Sequence, residues 1–151
     1  MLIVAVGVLP MFTQAMVNTQ AGADSSFVSN AARSRVEELF QAPWTSAPVT
    51  LISGTELVTD EYFSITDHSW KPGLIPGDGS DPGTFTRTTR VRQFSVIALE
   101  DELLDDSEAL DALADPGQVH LKEIRVTVEG VRTAGPLGPS KRIALTMLKS
   151  Q

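Results

Sequence analysis

Cysteine is absent from the 151-residue chain, which excludes a disulfide framework, thiolate zinc sites and a thiol nucleophile, and leaves export open. Histidine is nearly absent: His68 and His120 lie far apart, without the spacing of a zinc site. Aromatic residues make up 6% of the chain and apolar residues 42%, enough for one modest core and too little for two domains. Basic residues are the minority sign, 12 Lys+Arg against 19 Asp+Glu for a formal charge of -7, and they are scattered singly. A nucleic-acid footprint needs clustered basic residues, so no nucleic-acid partner is expected. Gly-x-Ser-x-Gly, Walker, His-Glu-x-x-His and dinucleotide motifs are all missing. No activated nucleophile or base can be named, so the chain reads as a non-enzyme with no cofactor.

Charge is also missing from one place in particular. None occurs from Met1 through Ala23, and all 31 charged residues fall between Asp24 and Lys149. The stretch MLIVAVGVLPMFTQAMV is apolar except for Thr13 and Gln14, slightly short of the roughly 20 residues that cross a bilayer. A signal peptide is the alternative reading, with Ala21-Gly22-Ala23 as a cleavage motif, although no basic residue precedes the apolar run. Beyond it Val28, Ala32, Val36, Leu39 and Phe40 recur at three- and four-residue steps, one face of an amphipathic helix that should stop at Ala42, before Pro43. A single helix from Met1 to Gln41 would be about 60 Å long, with local loosening expected at Gly7 and Pro10. Two units follow: a hydrophobic half-helix over 1–23 and a globular head over 24–151.

Downstream the period changes to alternation. Strands are expected over 57–65, with Leu57, Phe63 and Ile65 on one face, and over 84–98, with a bulge near Arg92 where the apolar phase shifts. The surest are 123–131, with Ile124, Val126 and Val128 inward, and 141–149, with Ile143, Leu145 and Met147 inward. Thr133–Ser140, rich in glycine and proline, makes these last two a hairpin. The glycine- and proline-rich stretch 70–83 reads as a loop in which Asp78 and Asp81 are weak Ca2+ candidates, too few ligands to assign a metal. Eight acids and no base occupy 100–115, where leucines 103, 104, 110 and 113 suggest a short helix with a solvated acidic face or a docking patch. The expected fold is α+β: one long N-terminal helix on an antiparallel sheet of about four strands.

In their order these segments resemble type IV pilin-like proteins. The residues that carry the likeness are MLIVAVGVLP, then TQAMVNTQAGADSSFVSNAA, then RSRVEELFQAP, and at the far end IRVTVEG, TAGPLGPS and KRIALTMLK. The likeness is in particular to minor pilins of the pilus modification V type and to the related I-type pseudopilin of type II secretion. The basic leader, Gly-Phe cleavage site and early acidic residue of that group are not in this sequence, and an upstream start is expected. The resemblance implies a structural subunit in the assembly, priming or tip of a type IV pilus, or alternatively a secretion pseudopilin. It implies a bacterial inner-membrane location with a periplasmic head, then an assembled pilus or pseudopilus. Partners would be other minor pilins or pseudopilins, the assembly machinery and inner-membrane lipid, in a hetero-oligomer. Membrane and filament contacts would fall to Leu2, Ile3, Val4, Val6, Gly7, Val8, Leu9, Pro10 and Phe12, and helix-to-sheet packing to Val28, Ala32, Val36, Leu39 and Phe40. A secreted binding domain with a cleaved signal, mature at Asp24, is the alternative of another class.

Overall fold

In a computed structural model the chain is described over residues 2–95, 109–131 and 141–151, with backbone alone for 2–21. The fold is α+β. Helix α1 spans Leu2–Gln41 and runs through Gly7 and Pro10 without interruption. A 3-10 turn follows at Ala47–Val49, and then come β1 (Glu56–Ser64), β2 (Ser69–Pro72), β3 (Gly83–Phe94), β4 (Leu121–Gly130) and β5 (Arg142–Ser150). They form one sheet in the order β2-β1-β3-β4-β5, every neighbouring pair antiparallel.

The sheet has five strands where four were expected. The extra one is β2, a four-residue Ser-Trp-Lys-Pro segment that folds back on β1 and pairs Trp70 with Phe63. Too short to show alternation, it read as part of a loop. The bulge expected near Arg92 is not there: β3 pairs with β4 without a break from Phe85 to Phe94, and the one register shift against β1 falls between Phe63 and Ser64. The change of apolar phase has a different cause. Phe94 lies on the outer face beside Leu121 and is fully buried there, with Phe94 accepting a backbone hydrogen bond from His120. Ile65 lies past the end of β1 and is exposed.

Alternation sorts β4 cleanly, as the β-branched residues of a half-buried strand should. Ile124, Val126 and Val128 are fully buried facing α1, while Arg125 is exposed on the outer face. On β5, Ile143, Leu145 and Met147 pack against the same core. α1 lies mainly over β4 and β5, and Val28, Ala32 and Leu39 close the core with Val91 of β3. Val49 and Leu51, from the segment after the helix, complete it.

The acidic stretch divides. Its residues 100–108, with Leu103 and Leu104, lie outside the described residues, as does the 133–140 hairpin tip. Over 109–115 there is no helix. The backbone N–H groups of Leu110 and Ala112 donate instead to Gln93 and Gly54, and Asp111 caps its own turn at Leu113. An N–H committed to a distant carbonyl cannot close a helical ring.

Candidate functional site: charged clusters on the two faces of the sheet

At about 100° per residue, Leu39 and Arg35 each project within about 20° of Val28 around α1, whereas Phe40 projects about 120° away. The packing follows that geometry. Val28, Ala32 and Leu39 are fully buried and Val36 packs against them, but Phe40 is 62% exposed. The expected packing role of Phe40 is therefore corrected: the step from Leu39 carries it off the buried stripe. Side chains of Leu2, Ile3, Val4, Val6, Val8, Leu9, Pro10 and Phe12, and residue Gly7, fall in the part described by backbone only. Among the described residues no helix is long and apolar enough to cross a membrane.

On the other flank Phe27 meets an aromatic cluster that the helical stripe did not reveal. Its ring lies 4.5 Å from Phe85, 5.0 Å from Phe63 and 6.4 Å from Trp70, centroid to centroid, distances at which aromatic pairs attract beyond their area. Four of the nine aromatic residues thus hold the helix to the end of the sheet where β1, β2 and β3 meet.

Arg35, in the middle of the apolar stripe, brings charge into the interface. It faces Glu61 and Arg87, cross-strand partners on β1 and β3 that both point at the helix. Arg87 Nε and Nη2 donate to one Glu61 oxygen at 2.9 and 2.8 Å, and Arg35 Nη2 approaches the same oxygen at 3.6 Å. Arg35 Nη1 donates to Glu38 at 2.7 Å, and Arg87 also stacks on Trp70 at 4.3 Å. Burial lowers the Arg87 pKa, and Glu61 opposes that shift. Two guanidiniums converge on one enclosed carboxylate, with Arg35 Nε and the nearby buried Thr89 hydroxyl unpartnered among the described residues.

At the other end of α1 two lysines point inward as cross-strand neighbours, Lys122 on β4 and Lys149 on β5. Among the described residues neither is met by a carboxylate. Lys149 Nζ donates to the Leu39 and Phe40 carbonyls at 3.1 and 2.9 Å and to Ala42, satisfying the groups a helix leaves open at its C-terminus. Lys122 Nζ donates to Trp44 and Val49 carbonyls, both at 2.7 Å, beneath the Trp44 ring. Burial, and then Lys149, lower its pKa.

The outer face carries two further clusters. Asp81, weighed as a calcium ligand, accepts from Ser64 at 2.5 Å, Lys71 at 2.5 Å and Tyr62 at 3.0 Å. Those donors, Lys71 first, hold its pKa down at about 2. Asp78 accepts from the Ser80 backbone within its own turn. The two carboxylates bond to different partners, and no group of three potential ligands is placed to hold a metal among the described residues. The 73–82 loop folds over this cluster closely enough that a Cβ at Gly83 would lie 2.8 Å from the Ile75 side chain.

Towards the end where β1 begins and β3 finishes, Thr55, Glu56, Arg90, Arg92, Glu123 and Arg125 line an open groove of about 280 Å³. Arg92 is held by Glu123 at 2.5 and 2.9 Å. Arg90 reaches Glu56 only at 3.5 Å, and Arg125, directly opposite Arg90, has no partner among the described residues. Basic residues that are isolated in sequence are thus gathered by strand register. The alternation of Arg90-Val91-Arg92 was the signal available, and it becomes informative only once β4 sets Arg125 beside it. No family model, curated protein or solved structure matches the chain.

Proposed function

We propose that the chain is a pilin-like structural subunit of the minor-pilin kind, acting in the assembly, priming or tip of a type IV pilus. The apolar half of α1 serves first as an inner-membrane anchor and then as filament core, and the α+β head stays in the periplasm. One observation carries the reading: a single 40-residue helix, about 60 Å long, whose C-terminal part packs on the sheet through Phe27, Val28, Ala32 and Leu39. The packed stretch from Val28 to Gln41 accounts for roughly 20 Å of that length. In sequence the helix is uncharged through Ala23. Apolar helix surface can sit in lipid or among equivalent helices because both exclude water.

A pseudopilin of type II secretion has the same architecture, and capture of sister subunits by crosslinking chooses between the two. The test of the reading itself is fractionation of the natively expressed protein, with intact mass and N-terminal sequencing. Recovery from membranes with the apolar stretch attached supports it. A soluble product beginning at Asp24 overturns it in favour of a secreted binding domain.

A further inference from the structure

We infer that the arginine-lined groove on the outer face grips a carboxylate-bearing segment of a partner protein. Its position comes from the strand directions. α1 ends at Gln41 beside Lys149, near the end of β5, and Arg92 and Glu123 lie at that same end of the sheet. The aromatic cluster around Phe27 marks the opposite end, towards the N-terminal half of α1. The groove therefore sits at the end of the head farthest from the proposed anchor.

Its chemistry selects the occupant. Three guanidiniums meet two carboxylates, in a chain of net charge -7. Arg90 and Arg125 face each other across two strands, an arrangement of like charge that costs stability unless an anion lies between them. Glu123 is committed to Arg92, and Glu56 lies at the limit of hydrogen-bonding distance from Arg90, so Arg90 and Arg125 keep donors to offer. A guanidinium presents a planar fork that matches a carboxylate.

The rim favours a protein segment over a free ion. Gly54, next to groove residue Thr55, accepts the Ala112 N–H at 2.9 Å. That bond ties together the loops bearing Ile52 and Leu113, which are 82% and 92% exposed. Exposed aliphatic residues near Arg90 and Arg125 make a small surface both apolar and basic, suited to a segment that carries both kinds of side chain.

For its biological partner the inference rests on the assembly reading, while its chemistry stands on the groove alone. The test is fluorescence anisotropy with the full chain in detergent micelles and a labelled peptide of alternating glutamate and leucine. Binding should weaken as salt rises, and Arg90→Gln and Arg125→Gln should each reduce affinity roughly tenfold. Arg125→Lys should restore part of it, and Arg33→Gln, on the exposed side of α1, should change nothing. Unfolding midpoints equal to the parent establish that the groove variants are folded. Equal binding of a glutamine-leucine peptide, or unchanged affinity in both variants, overturns the proposal. Full displacement by inorganic phosphate at matched charge also overturns it, in favour of a simple anion site. Failure here with membrane recovery intact leaves the assembly reading standing, and a soluble chain beginning at Asp24 that still binds the peptide overturns that reading alone.

Discussion

The two faces of the sheet each carry an arginine-rich cluster, and the clusters differ in surroundings more than in composition. Beneath α1, Arg35 and Arg87 share Glu61 in a nearly closed space. On the outer face Arg92 and Glu123 form a comparably enclosed pair, whereas Arg90, facing Glu56, and Arg125 stand in the open. In the closed cluster every charge depends on its neighbour, because water cannot replace a lost partner. Around Arg90 and Arg125 water can, so these two contribute little to stability and keep donors exposed. Enclosure decides how far a charge depends on its partner to maintain the fold.

The sharpest way to break that comparison is Glu61→Gln. It leaves two guanidiniums facing each other under the helix, and about 3–5 kcal/mol of unfolding free energy should be lost, read from denaturant midpoints. A pair of neighbours on α1 comes next. Leu39→Ala should cost about 2–5 kcal/mol, whereas Phe40→Ala, one residue on, should stay within about 0.5 kcal/mol in the same assay. Lys149→Met removes the donor to the last helical carbonyls. About 1–2 kcal/mol should go with it, and hydrogen exchange should rise in the final turn of α1.

A smaller effect appears in acid. The Asp81 pKa lies at about 2, below its ordinary value of 3.8, so its bonds to Lys71 and Ser64 stabilise the fold above that ordinary value. That contribution disappears as pH falls from about 4 through about 2. The melting temperature of Asp81→Asn should therefore fall less steeply over that window than that of the parent. Smallest of all, Arg125→Gln should leave the unfolding midpoint unchanged, within about 0.5 kcal/mol. A large loss there would mean that the outer cluster is as structural as the inner one.

What could be read in advance was whatever repeats locally. Three- and four-residue steps marked Val28, Ala32 and Leu39, and strict alternation marked β4 and β5. Single positions were harder to place. Phe40 satisfies the step rule loosely and misses the buried stripe, while Arg35 lies on that stripe and reads as polar. Phe94 resembled a bulge signal because a lone buried aromatic on the outer face breaks the alternation as a bulge would. β2 has four residues and a proline, so its identity depends on Phe63 across the strand and not on its own pattern. The groove was the least legible part. It exists only through register, which sets Arg125 opposite Arg90 from 35 positions away.

The first element in the chain packs mainly on the last two, β4 and β5. During synthesis, Val28, Ala32 and Leu39 therefore leave the ribosome long before the strands that cover them, and the helix end must wait for residue 149. Contacts this distant along the chain slow folding and prolong the exposure of apolar surface. A newly made chain consequently passes through a period in which its stem is finished and its head is still open, and anything that holds the stem in that interval shields the surface most prone to aggregate.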